Sequence, residues 1–148
     1  MAADVPAQRF SIRLVDWSVA RAELEFVRRA VFIVEQAIPE EMEWDDFDTV
    51  SRHALAVDAS GAPVGCGRLL PDGHVGRLAV LAAWRGDGVG SALLDRLVVL
   101  AREQGHARAV LNAQTHAMPF YARHGFAAEG AEYLEAGIPH QTMTRTLD

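Results

Sequence analysis

The sequence predicts a mixed α/β sheet with helices on both of its faces. Three observations carry this. Short turns join the early strands, which implies antiparallel pairing. A strand, a glycine-rich turn, a helix and a second strand follow one another from His74 to Ala113, which implies a right-handed parallel pair. A short helix and two closing strands complete the order. At 148 residues the chain is expected to form one domain over 1–148, with a core of ordinary size.

The elements read as follows. Phe10 to Val15 alternates apolar and polar residues, as a half-buried strand does. Val19 to Val34 is expected to be one helix, because Ala20, Leu24, Val27, Val31 and Val34 recur at helical spacing, with Ser18 as its cap. Pro39 ends that pattern, and an acidic loop or short helix spans Glu40 to Val50. His53 to Val57 and Val64 to Leu70 flank the Ser60-Gly61 turn, and Pro71-Asp72-Gly73 leads into a strand from His74 to Leu81. The next helix sets Val89, Leu93, Leu97 and Leu100 on one face and stops at Gly105. Ala107 to Ala113 is a strand and Ala117 to His124 a short helix with Pro119 in its first turn. Ala127 to Glu132 and Gln141 to Leu147 are the closing strands.

The run Arg85-Gly86-Asp87-Gly88-Val89-Gly90-Ser91 joins a strand to a helix. Such a turn leaves amide donors free at the positive end of the helix dipole, which suits phosphate. Arg85 adds a cationic fork. The chain has no lysine, so a Walker loop is excluded. Ser91 or Leu93 falls where a dinucleotide-binding fingerprint needs its third glycine, so that reading fails too.

Composition narrows the class further. A net charge of −6 argues against broad nucleic-acid binding. No apolar run reaches membrane-spanning length. The first ten residues show no leader pattern, and Cys66 is the single cysteine, which together suggest a reducing cytoplasm. His53, His106, His116 and His124 show no metal-ligand spacing supported by acidic or Cys partners, so no metal is expected.

What fits the loop is Arg85-x-x-Gly88-x-Gly90, which resembles the pyrophosphate motif of the GNAT superfamily of acetyl-CoA-dependent N-acetyltransferases. Gln114 to Phe126 resembles that family's later signature, Asn-x-x-Ala-x-x-x-Tyr-x-x-x-Gly-Phe. Ala117, Tyr121, Gly125 and Phe126 fall in register, and Gln114 stands in place of Asn. Val31 to Gln36, Asp45-Asp46-Phe47-Asp48, Ala113-Gln114 and Glu135 to His140 are similar to the ElaA/YjcF-like subgroup.

The resemblance implies splayed parallel strands with acetyl-CoA in the gap. It implies that Arg85 and the amides of Gly86, Asp87, Gly88, Val89, Gly90 and Ser91 hold the pyrophosphate. Backbone groups of Leu78, Ala79 and Val80 would pair with pantetheine, and Gln114 would line the cofactor. Tyr121 would protonate the departing thiolate, or else pack against the cofactor. The resemblance makes His74 a base candidate, since it lies eleven residues before Arg85 where some members carry a base, and counting by twos sets His74, Gly76, Leu78 and Val80 on one strand face. Glu35 and His140 are its rivals, and a water chain is a fourth route. Asp45 and Asp46, among Glu40, Glu41, Glu43 and Asp48, would capture a cationic amine, or else belong to a solvated loop. Cys66 reads as a buried thiol before a nucleophile.

The expected activity is acetyl transfer to a primary amine of a small molecule or peptide by direct attack, with dimerisation common in such domains. The alternative is a CoA-holding module without turnover; a different acyl chain or an O- or peptide acceptor is a further one.

Overall fold

A computed structural model describes residues 9–148. The leader reading at the N-terminus falls almost wholly outside them. One seven-stranded sheet organises the chain: β1 (Phe10–Asp16), β2 (Arg52–Asp58), β3 (Pro63–Leu69), β4 (His74–Val80), β5 (Arg108–Gln114), β6 (Ala127–Glu135) and β7 (Ile138–Thr146). The spatial order is β1-β2-β3-β4-β5-β7-β6. Every neighbouring pair is antiparallel except β4 and β5. The mixed sheet expected from the sequence is therefore present.

The helices lie on the two faces. Helix α3 (Val89–Glu103) buries Leu93, Leu94, Leu97 and Val98 against Val75, Ala109, Leu111 and Met143. Gly67 of β3 permits this close approach: a Cβ there would lie 2.8 Å from a Leu97 methyl. Helix α1 (Trp17–Arg28) covers the other face, where Leu24 and Val27 join Leu55, Val57, Cys66 and Ala79. Of two short helices, α2 (Glu40–Glu43) follows α1 in the chain and α4 (Met118–Arg123) packs against β5.

Three local features depart from the expected pattern. The first helix begins at Trp17 without a side-chain cap, so Ser18 is not its cap. Past Arg28 it widens into a π-helical segment, Arg29–Glu35, closed by Gln36 N–H donating to the Val31 carbonyl. An i→i+5 turn shifts the phase of side chains. Val31 and Phe32 stay buried, while Val34 is exposed although its spacing placed it inward. The last hairpin turns at Ala136-Gly137, both at positive φ, so β7 starts at Ile138 and takes in His140.

A fourth departure governs the site. Gly76 pairs with Arg68 and Ala79 with Cys66, leaving Arg77 and Leu78 opposite Gly67 alone. Two residues facing one is a β-bulge. Arg77 adopts φ +52 there, a left-handed conformation costly for a residue with a Cβ. The bulge reverses the strand's alternation: Val75 and Val80 face α3, whereas Ala79 faces α1. Strands β4 and β5 pair only at His74–Val110 and Val75–Leu111. Beyond the bulge they separate.

Candidate active site

The separation of β4 from β5 opens into a cavity of about 900 Å³. Its walls come from the π-helical segment, the bulge and outer half of β4, the loop before α3, α4 and the β6–β7 hairpin. Of the residues singled out in the sequence, Glu35, Leu78, Ala79, Val80, Arg85, Gly86, Gly88, Val89, Gly90, Ser91, Gln114, Tyr121 and His140 line it. His74, Asp45, Asp46 and Asp87 do not.

The loop is built for an anion. Gly88 holds φ +86 as the residue before α3, and among the described residues no group accepts from the amides of residues 86–91. The first turn of an α-helix leaves such donors free and carries the positive dipole end. Gly90 lies against Phe120 and Val80, so the backbone stays close to the cavity wall. Ser91 Oγ meets His124 Nε2 at 3.0 Å, and His124 Nδ1 meets Asp95 at 3.1 Å. Asp87 points outward to Arg9 at 3.3 Å.

Arg85 is not free. Its guanidinium donates to both carboxylate oxygens of Glu35, each at 2.6 Å, and its Nε donates to the Val80 carbonyl at 3.1 Å. Hydrogen bonding to Arg85 holds the Glu35 carboxyl below its usual range. The two residues assigned separately from the sequence thus form one pair.

Tyr121 packs edge-on to Phe120 and Phe126, and burial pushes its phenol up to about 12. It therefore keeps its proton at neutral pH. Gln114 and Gln36 exchange amide hydrogen bonds of 2.8 and 3.3 Å across the cavity. Gln114 faces His140 in the β5–β7 register. The His140 ring is buried, with Nδ1 2.7 Å from the Ile138 carbonyl. A carbonyl only accepts, so Nδ1 carries the proton and neutral His140 keeps a lone pair on Nε2. Glu135 lies 3.6 Å from that nitrogen.

Two expectations are corrected by the placement. His74 sits where the strands are still paired and is held by Asp72 at 3.0 Å. The bulge at Arg77 breaks the count by twos, so His74 does not share a face with Leu78 and Val80. The acidic loop is not a cation trap, and of its six carboxylates Glu40, Glu41 and Asp46 are exposed while the other three fold inward. Glu43 and Asp48 are buried and bound to Arg28 at 2.8 and 2.7 Å. Asp48 and Asp45 also bind Arg68, at 2.8 and 2.7 Å. Asp46 is exposed.

Burial pushes Asp45 up, but hydrogen bonds from Arg68 and the charges of Arg68 and Arg77 outweigh it and leave the group low. Burial pushes Glu43 up and prevails over its arginines. Sequence reasoning missed Arg28, Arg68 and Arg77, because they stand apart in the chain on α1, β3 and β4. Cys66 is buried, and burial raises its thiol to about 12. It is an inert core residue. Among the described residues no group of three or more His, Cys, Asp or Glu is gathered for a metal, and no helix is long and apolar enough to cross a membrane.

The likeness to known proteins agrees with this geometry. The acetyltransferase (GNAT) domain matches residues 18–147. The uncharacterized N-acetyltransferase YjcF of Bacillus subtilis is 40% identical over 124 residues, covering 81% of this chain and 88% of that protein. The crystal structure of an acyl-CoA N-acyltransferase from Pseudomonas aeruginosa superposes with TM-score 0.83 and 31% identity, covering 93% of this chain and 99% of that one. Escherichia coli ElaA gives TM-score 0.83 at 28% identity, over 92% and 99%. With a family match across nearly all its length, the chain belongs to the GNAT acetyltransferases, in their ElaA/YjcF-like branch.

Proposed function

We propose that this protein transfers the acetyl group of acetyl-CoA to a primary amine by direct attack within the cavity. The observation that carries the reading is the coincidence of free amides 86–91 with the opening of β4 from β5. These residues fit the cosubstrate: unfilled donors at a helix N-terminus for its pyrophosphate, and an open strand edge for its amide-bearing arm. Acetyl-CoA, when bound, supplies the thioester. Backbone groups of Leu78 to Val80 have lost their β5 partners and would pair with the arm.

Tyr121 holds the proton for the departing sulfur, since its raised pKa keeps the hydroxyl intact and its ring is fixed by Phe120 and Phe126. The base is His140 in this reading. Its Nε2 is the free acceptor, and the neighbouring Glu135 carboxylate stabilises the imidazolium formed when the amine gives up its proton. His74 and Asp46 have no part in it. Gln114 contributes by bracing Gln36 against the cavity wall.

The test is acetyl-CoA-dependent thiol release over a panel of amines. Tyr121→Phe is expected to lower kcat by about 10²-fold while CoA affinity stays within a factor of two. An unchanged rate removes Tyr121 from the chemistry. CoA binding without release on any amine supports the alternative of a cofactor-holding module.

A further inference from the structure

The acidic loop folds onto three arginines, and one of them, Arg77, reaches the cavity wall. Arg28, Arg68 and Arg77 face Glu43, Asp45 and Asp48. Arg28 is enclosed and saturated: all three of its nitrogens donate to Glu43 or Asp48. Arg77 differs on each count. It lines the cavity beside Glu43 and Met42. Its Nη2 donates to the Glu43 carbonyl at 2.9 Å and to Asp45 at 3.3 Å. Its Nε is enclosed and lies 2.9 Å from Glu43 Oε2, yet the two are not aligned as a hydrogen bond. Its Nη1 has no acceptor among the described residues.

A buried donor without an aligned acceptor costs free energy. So does φ +52 at a residue with a Cβ. Both costs fall on one residue, at the point where the strands part. Glu43 is shared between Arg28 and Arg77, so its carboxylate does not serve Arg77 alone. The open Nη1 of this guanidinium fork is matched by a carboxylate oxygen, which accepts a charge-assisted hydrogen bond in its plane.

We infer that Arg77 is the acceptor-binding cation of this site and that the acceptor is an amino acid or amino-acid-like amine, bound through its carboxylate. The inference rests on the acetyl-transfer reading above and names its substrate class. The amine end lies toward His140 and Glu135 on the opposite hairpin, and Val31, Phe32, Ile38 and Met42 give the span between them an apolar wall. Reaction at the amine leaves the carboxylate unchanged: an N–C bond forms, the thioester C–S bond breaks, and the amine proton leaves by the base while the sulfur takes one from Tyr121.

Matched pairs test it: an α-amino acid against the amine lacking only its carboxylate, and against its carboxamide, with saturating acetyl-CoA and products weighed by mass spectrometry. The acid is expected to lead in kcat/KM by about tenfold or more, the value of a charge-assisted fork. In Arg77→Gln the ratio falls to near one. In Arg77→Lys, which keeps charge and loses the fork, it lies between. Melting curves of both variants establish that they fold. Equal or faster turnover of the carboxylate-free amine overturns the inference, as does a ratio that survives Arg77→Gln. Calorimetry of the same pairs with the CoA-loaded protein reads the site without turnover: binding of the acid that Arg77→Gln abolishes supports the inference, and no binding of the acid refutes it. Failure of the wild-type protein to bind CoA would instead strike the acetyl-transfer reading, and the carboxylate titration without CoA still reports on Arg77.

Discussion

Asp48 offers the sharpest test of how the loop between α1 and β2 is held. Its carboxylate is 3% exposed and accepts from Arg28 Nη1 at 2.7 Å, Arg28 Nη2 at 3.2 Å and Arg68 Nη1 at 2.8 Å. Asp48→Ala leaves two arginines, themselves buried, short of one negative charge. Removing one partner of a buried ion pair costs about 3–5 kcal/mol. Against a whole-protein stability of about 5–15 kcal/mol, that is a large share. For a chain of this size each kcal/mol lowers the melting temperature by about 2–4 °C, so a fall of about 6–20 °C is expected. Thermal and urea unfolding, followed by circular dichroism, measure it. Asp46→Asn is the control: Asp46 is exposed, and its midpoint is expected to stay put. If Asp48→Ala shifts stability by under 1 kcal/mol while raising an amine's KM, the loop is a substrate trap after all and the reasoning fails.

Other outcomes follow from the site. Gly88→Val forces a β-branched residue to φ +86 and is expected to weaken CoA binding about 5- to 150-fold by calorimetry, from about 1–3 kcal/mol of backbone strain. Glu35→Gln frees Arg85 from its half-exposed pair, worth about 0.2–1 kcal/mol, so CoA should bind up to about fivefold tighter; weaker binding would show that the pair is part of the cofactor site as it stands. The same pair has a pH signature. Glu35 titrates below its usual range in the pair, so its contribution is full above that range and is lost as pH falls through the lowered value. CoA affinity of the wild type, but not of Glu35→Gln, should then rise relative to neutral pH. His140→Gln should lower kcat/KM by about 10²-fold while CoA affinity holds, and an unaltered rate would remove His140 as the base.

Much of this site could be read without coordinates because its parts are local. Gly86, Gly88 and Gly90 announce a turn, and Val89, Leu93 and Leu97 announce the helix behind it. Tyr121 is singled out by the resemblance of Gln114 to Phe126 to the family's later signature, and the Gly125 of that signature sits at φ +86. The failures are non-local. Counting by twos from His74 needs an unbroken strand, and the bulge falls at Arg77, a residue type that gives no sign of a left-handed turn. The acidic run reads as solvated until Arg28 and Arg68 arrive from α1 and β3. His140 looked like a residue before a strand; the Ala136-Gly137 turn moved the strand's start and set it opposite Gln114. The Arg85–Glu35 pair joins residues 50 apart, which no local pattern could connect.

The central claim is that the loop from Arg85 to Ser91 holds the pyrophosphate of acetyl-CoA. Amide NMR during a CoA titration tests it at the atoms concerned. The account predicts saturable shifts of the Gly86, Gly88, Gly90 and Ser91 amides, among the largest in the spectrum. Saturable CoA binding that leaves those four amides unmoved would contradict it.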